Sequence, residues 1–313
     1  MFAVTIVDGR LEWREHPDPV PGTGELLVAV RAAGLNGADL MQHAGFYPAP
    51  PGSPSDIPGL ELAGEVVAIG DAVSRFAVGD GVMAVVGGGG QAELATVHER
   101  AAIAVPAGVG WAEAGGFPEV FTTAHDALFT QCGLSSGERV CVHGAAGGVG
   151  IAGLQLALAA GALVVATVRN EELRPAVAAF GPDVCAPDQF VERGPFDVVL
   201  ELVGGPNIPG DLEALAIGGR IAVIGVGGGG EATFALHALM AKRGRIHGST
   251  LRVRPLEEKA IAAQLMERRV VPHLASGAIR VPVAATYTMP DATSAYERFA
   301  AGAKLGKIVL VTE

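Results

Sequence analysis

Val140-Cys-Val-His-Gly-Ala-Ala-Gly-Gly-Val-Gly150, running on into an Ala- and Leu-rich stretch, decides how the rest of the chain is read. Val140, Cys141 and Val142 are β-branched or small, as a buried strand requires, and a helical run from Val149 follows the glycine turn without a gap. Within the turn, Ala145-x-Gly147-x-x-Gly150 has the spacing of a dinucleotide-binding fingerprint, with alanine in place of the first glycine. Small residues at Ala145, Gly147, Gly148 and Gly150 let a pyrophosphate approach the backbone. The N–H groups of the first helical turn, around Val149, then meet its negative charge. In a chain with 45 glycines the same spacing also arises in plain strand-to-helix packing turns, so the context decides. After the turn the pattern predicts a strand at 163–168, a helix at 171–180, a short strand near Val184 and a strand at 197–202. A helix at 212–217, a strand at 220–225, a helix from Leu236 and a strand at 246–250 follow. Such alternation implies a doubly wound parallel sheet that takes ligands at the C-terminal ends of its strands.

Upstream the period is different. From Met1 to about Pro106, short runs such as 26–32, 64–69, 81–86 and 91–97, punctuated by Gly and Pro, predict a small antiparallel barrel or sandwich. One helix is expected there, at 36–42. The segment Phe46-Tyr-Pro-Ala-Pro-Pro-Gly-Ser-Pro54 is too rich in proline for helix or inner strand and is read as a loop. Residues 87–90 are four glycines that no helix follows, and they read as a flexible hairpin connection. A helical stretch at 111–129 leads into the strand at Val140. Downstream, a helical segment at 255–276, a strand at 279–283, a helix at 291–301 and a last strand at 307–311 return to the first domain. The expected division is 1–117 and 255–313 for the barrel, with the nucleotide domain inserted as 118–254.

A length of 313 residues suits two such domains. A net charge of −11 spread along the chain excludes a phosphate-backbone partner, so nucleic acid is not an expected ligand. No apolar run approaches the roughly 20 residues needed to span a bilayer, and the N-terminus lacks a basic leader, which places the protein in the cytoplasm. Cys132, Cys141 and Cys185 form no C-x-x-C pair and read as buried free thiols.

Barrel, dinucleotide domain and barrel return, in that order, carry a family likeness. With Gly34-Leu-Asn-Gly-Ala-Asp39, Gly45-Phe-Tyr-Pro48, Pro58-Gly-Leu-Glu-Leu-Ala-Gly-Glu-Val-Val67, His143 to Gly150 and Gly306-Lys-Ile-Val-Leu310, the chain resembles the medium-chain dehydrogenase/reductase superfamily. Within it, the likeness is to the zinc-independent quinone oxidoreductase branch. The resemblance implies an α/β protein in which a GroES-like β-barrel catalytic domain is interrupted by a Rossmann doubly wound parallel sheet. It also implies a homodimer joined at an edge strand around residues 245–250. Zinc-using members carry Gly-His-Glu where this chain has Gly59-Leu60-Glu61, and a cysteine where Asn36 stands; Leu60 cannot bind a metal and Asn36 is a poor zinc ligand. No metal site is expected.

The expected cofactor is NADPH. Val168 is followed by Arg169 and Asn170, whereas an NAD site would place Asp or Glu there; Arg169 can face a 2′-phosphate and Asn170 can cap the helix before Glu171 and Glu172. Those two glutamates leave NADH open, and Arg169 also reads as a solvated charge. By resemblance Thr123, Val203, Gly204, Gly225, Val226 and Gly227 line the nicotinamide half; Lys304 reaches the cofactor or is a surface lysine. Asn36 and Asp39, three apart on a helix, either line a substrate cleft or form N-cap chemistry, and the two readings are compatible. Tyr47 matches the tyrosine that donates a proton in relatives reducing enoyl thioesters, and otherwise packs as an aromatic lid. The function expected is hydride transfer from NADPH to quinones or conjugated carbonyl compounds, on a small apolar substrate. An enoyl-thioester reductase and a non-catalytic dinucleotide-binding protein are the alternatives.

Overall fold

The computed structural model describes residues 1–312, and the chain divides into two units. One comprises Met1–Thr122, Leu251–Gly302 and Lys307–Glu313, and the other Thr123–Thr250 with Ala303–Gly306. Among the described residues no helix is long and apolar enough to cross a membrane.

The first unit holds strands β1 (Phe2–Val7), β2 (Arg10–Glu15), β3 (Glu25–Gly34), β4 (Glu61–Ile69), β5 (Gly81–Val85), β6 (Leu94–His98) and β7 (Ala102–Ala104). The second holds β8 (Arg139–Val142), β9 (Leu163–Thr167), β10 (Asp183–Cys185), β11 (Phe196–Glu201), β12 (Leu215–Val223) and β13 (Arg245–Gly248). Strands β14 (Val283–Thr288) and β15 (Lys307–Val311) return to the first. There, β1 and β2 form a hairpin, and a seven-stranded sheet runs β14-β15-β3-β4-β5-β7 with β6 also paired to β3. Alternate residues of β3, namely Leu26, Val28 and Val30, face a core with Leu62, Val66, Val82, Tyr296, Ile308 and Leu310, as a half-buried strand dictates. Strand β15, late in the chain, lies inside this sheet, antiparallel to β3.

The second unit is a six-stranded, wholly parallel sheet in the order β10-β9-β8-β11-β12-β13. Its order reverses between β8 and β11, the arrangement of dinucleotide-binding domains. Period-2 alternation supplies two cores from the same strands. Val140, Val142, Val164, Ala166, Val198 and Leu200 face one layer, and Cys141, Val165 and Val199 the other. The three cysteines are free and buried.

Local expectations fail in places with clear causes. The helix expected at 212–217 is Ile208–Glu213, and Leu215 already pairs with Phe196 in β12. The left-handed Gly218 and an irregularity in the ladder let β12 begin early, so an apolar spacing that looked helical belongs to a strand. The strand expected at 279–283 starts only at Val283, because Pro282 has no N–H to donate and the Val281 N–H goes to the Glu113 carboxylate at 3.2 Å. The helical stretch at 111–129 is two helices, Trp111–Gly115 and Pro118–His125, passing into a π-helix at Asp126–Gln131. Its restart is at Pro118, whose missing N–H costs nothing in a first turn.

Candidate functional site

In the parallel-sheet unit the turn after β8 leads into the helix Gly148–Ala159, with Gly147 as its N-cap in extended conformation. A Cβ at Gly150 would lie 2.6 Å from both Ala145 Cα and Gly144 O, so this glycine lets the helix sit against the turn. Residues 146–149 are half-buried, with first-turn N–H groups that have no partner inside the helix. The segment Ala303–Gly306 lies along this turn: Gly147 and Gly306 form a parallel bridge, and the Gly306 N–H donates to Ala146 O at 2.9 Å. Lys304 curls back so that its Nζ donates to Gly306 O at 2.8 Å, which brings its charge to the turn.

At the end of β9, Asn170 caps the short 3-10 turn Glu171–Leu173, its Oδ1 accepting the Glu172 N–H at 3.0 Å. Arg169 is exposed. A second cation, Arg174, stands at the same strand end: its Nε donates to Val168 O at 3.1 Å and it lies 3.9 Å from Glu171. Sequence reasoning passed over Arg174 because it sits inside a predicted helix. Val203 and Gly204 after β11, and Gly225, Val226 and Gly227 after β12, come together at adjacent strand ends. The Gly228 N–H donates to Val203 O at 2.7 Å. Thr123 is buried at the start of this unit.

Beneath these ends lies His143, which by sequence reads as an ordinary histidine. His143 Nε2 is 2.8 Å from Asp211 Oδ1 and 3.8 Å from Glu201 Oε2, and its Nδ1 is 3.0 Å from Thr167 Oγ1. All three ionisable residues are buried. Burial opposes the charge on His143, but Cys141 and Asp211 hold its pKa well above the usual histidine value. Burial raises Glu201, with His143 working against the rise.

In the barrel unit Asn36 and Asp39 do lie together, at the start of the helix Gly37–His43. Both are committed to the fold. Asp39 Oδ2 accepts the Asn36 N–H at 2.8 Å and Oδ1 the Gly59 N–H at 3.0 Å, closing the helix start as expected of an acidic third residue. Burial pushes Asp39 up to about pKa 7, although those N–H bonds and Lys307 oppose it. The Asn36 amide donates to Gly34 O at 3.2 Å and Glu61 Oε1 at 2.9 Å, and its Oδ1 accepts from Lys307 Nζ at 2.7 Å. Lys307 completes its three bonds with Leu35 O and Glu61 Oε1, each at 2.6 Å, while Glu61 Oε2 takes the Glu119 N–H at 2.8 Å. Lys307 and Glu61 were missed as site residues; the one signal was a lysine opening an otherwise apolar strand.

Tyr47 stands apart from that cluster. Its carbonyl accepts from Arg252, whose guanidinium carbon lies 5.1 Å from the Tyr47 ring centroid. Arg252 is almost fully buried and also binds Gly87 O at 2.7 Å and Gln42 Oε1 at 2.5 Å, pinning the proline loop and the four-glycine segment to the helix. Burial raises the Tyr47 hydroxyl pKa, Glu119 adds to the rise and Arg252 opposes it. A cavity of about 530 Å³ is bounded by Pro50, Pro54, Gly87, Gly89, Arg252 and Lys259; Tyr47 and Asn36 are not among its walls.

Residues 22–133 match the family model described as alcohol dehydrogenase GroES-like domain, and residues 148–268 the one described as zinc-binding dehydrogenase. The chain is 30% identical over 307 residues to a quinone oxidoreductase of Mus musculus, covering 94% of this chain and 91% of that protein. The chain belongs to the medium-chain dehydrogenase/reductase superfamily, in its quinone oxidoreductase branch. It is also 30% identical over 338 residues to an acryloyl-coenzyme A reductase of Metallosphaera sedula, with 96% of each covered. A mycobacterial protein solved in complex with NADPH superimposes with a TM-score of 0.88 at 28% identity, over 99% of this chain and 100% of that one.

Membership makes the chain an oxidoreductase that binds a nicotinamide dinucleotide, and the parallel-sheet unit fits one: a bare backbone turn, helix-end N–H groups and glycines at the neighbouring strand ends. Zinc fits less well. Leu60 is apolar and buried, both polar atoms of Asn36 are taken, and an ammonium is fixed 2.7 Å from Asn36 Oδ1, where it repels a second cation. His143, Glu201 and Asp211 could also group around a metal, but the imidazole already bonds Asp211, and Glu201 accepts N–H groups from Val203, Gly204 and Asn207.

Proposed function

We propose that this oxidoreductase uses NADPH, without zinc, to reduce quinones or other conjugated carbonyl compounds. The observation that carries the reading is the barrel cluster: its one fixed cation, Lys307, is fully occupied by three oxygens of the protein. Without a Lewis acid to polarise an ordinary ketone, the acceptor has to be electron-poor already, as quinones and enones are. The bound dinucleotide supplies the hydride, and the protein contributes orientation and an apolar surround. Arg169 and Arg174, at the end of β9, favour a 2′-phosphate over a bare ribose. Residues 145–150 would hold the pyrophosphate, and Val203, Gly204, Gly225, Val226 and Gly227 the nicotinamide half. Tyr47 offers a hydroxyl proton for the enolate of an enone acceptor.

The similarity to an acryloyl-coenzyme A reductase over 96% of its length favours a second reading, turnover of an enoyl thioester. One assay separates them: oxidation of NADPH with a panel of quinones, simple enones and acryloyl thioester, with and without prolonged EDTA. Turnover of quinones and enones that survives chelation supports the proposal. Turnover confined to the thioester transfers support to the second reading, and activity lost to EDTA and restored by zinc refutes the metal-free mechanism. We further propose a homodimer formed along β13, the edge strand of the parallel sheet.

A further inference from the structure

Glu201, the last residue of β11, is fully buried and gathers five hydrogen-bond donors. Its Oε1 accepts the N–H groups of Val203 at 2.5 Å and Gly204 at 2.7 Å, and Oε2 accepts Asn207 Nδ2 at 3.0 Å. Its main-chain carbonyl accepts the N–H groups of Ile224 at 2.9 Å and Gly225 at 3.2 Å, on the loop after the neighbouring strand. The two loops are zipped further along: Gly205 N–H donates to Gly229 O at 2.8 Å, and Gly204 and Gly229 form a bridge. Gly204 holds φ +115°, and a Cβ there would lie 2.5 Å from Gly229 O, so no other residue fits this turn without displacing its neighbour. A carboxylate on successive N–H groups is a stronger tie than a neutral acceptor, and in a buried setting it is stronger again. On its far side the carboxylate faces His143, which Asp211, Thr167 and the edge of the Phe190 ring hold in place.

We propose that Glu201 is a positioning residue for the nicotinamide end of the cofactor, its carboxylate setting the shape of the 203–204 turn and its carbonyl that of the loop at 224–225. This rests on the cofactor reading given above. Glu201 touches no reacting atom. It acts through the backbone it clamps, and His143 supplies the facing charge that keeps a carboxylate tolerable there.

The test compares two ligands on the full chain. NADPH spans both halves of the site, while 2′,5′-ADP occupies only the adenosine half, on residues that Glu201 does not touch. Glu201→Gln keeps one acceptor oxygen but turns an NH₂ toward Asn207 and His143. It should weaken NADPH binding by about tenfold or more, with 2′,5′-ADP affinity held within about twofold. Asn207→Ala, a half-buried and milder change, should weaken NADPH by a few-fold with the same selectivity, and it decides the matter if the Gln variant does not fold. Equal losses for both ligands would mean a general loss of structure and overturn the proposal, as would unchanged NADPH binding. Wild-type protein that binds neither ligand, nor NADH, overturns the cofactor reading itself; wild-type protein that binds both while the variants behave as wild type overturns only the role of Glu201.

Discussion

In the parallel-sheet unit the candidate site is built mainly from backbone groups, whereas in the barrel unit the polar groups are side chains gathered from distant parts of the chain. The first kind is local: the turn at 145–150 and the loops at 203–204 and 225–227 each follow their own strand, and glycines let the main chain come close. The second depends on tertiary structure: Lys307 reaches Asn36 and Leu35 across 271 and 272 positions of sequence. A side-chain cluster of this kind is fixed by mutual charge, and removing one member leaves the others exposed to the cost of burial without compensation.

That difference can be broken most severely at Lys307. Lys307→Met leaves the Glu61 carboxylate buried without its cation and should cost about 3–5 kcal/mol in unfolding free energy by urea titration. Adding Glu61→Gln to the same chain should return part of that loss. If Lys307→Met alone is neutral, charge pairing does not hold the cluster together.

Next comes pH, where the two units should separate. Asp39 has a folded pKa of about 7 against an ordinary 3.8, so its neutral form is the one the fold favours. Its contribution is present below pH 3.8 and is lost as pH rises toward 7, by up to about 4 kcal/mol. Asp39→Asn should flatten that part of the stability curve. His143 is also raised, but from 6.5, and there the charged form is favoured; its contribution is complete below 6.5 and is lost as pH rises from there through its folded pKa, on the alkaline side of the Asp39 window. A stability curve with a single window, unaltered in Asp39→Asn, would contradict this separation.

Smaller effects are expected at the side chains proposed to meet ligands. Arg169→Ala should lower the preference for NADPH over NADH by roughly 10- to 150-fold, equivalent to about 1.5–3 kcal/mol. An unchanged ratio would leave Arg169 a surface charge and point to Arg174, which lies at the same strand end. Tyr47→Phe should slow enone turnover about tenfold, with less effect on quinones, since a hydroquinone anion can take its proton from water. Equal enone rates would reduce Tyr47 to a ring stacked near Arg252.

These contrasts also explain what could be read beforehand. Parallel alternation, the glycine turn, the Asn170 cap and the last strand at Lys307–Val311 are properties of short stretches, and they agree with the structure. The boundary errors at 212–217 and 279–283 arose where a ladder partner, Phe196, or a side-chain acceptor, Glu113, lay outside the window. Asn36 and Asp39 were recognised as neighbours, yet nothing near them in sequence announces that Lys307 and Glu61 occupy the Asn36 amide. Glu201 was hidden for a similar reason: an acidic residue at a strand end looks solvated until the loops that enclose it are in place.

The order of assembly follows from the topology of the barrel sheet. Strand β15 lies between β14 and β3, and it carries the ammonium that Glu61 requires. During synthesis the residues Thr123–Thr250 are contiguous and can condense as soon as they emerge, whereas the end of β3 at Ala32–Gly34 lacks its neighbour, and Glu61 its cation, until β15 has emerged. The unit that holds Met1–Thr122 is therefore expected to close after Thr123–Thr250 has folded, and a nascent chain ending before Lys307 should keep that barrel unfinished.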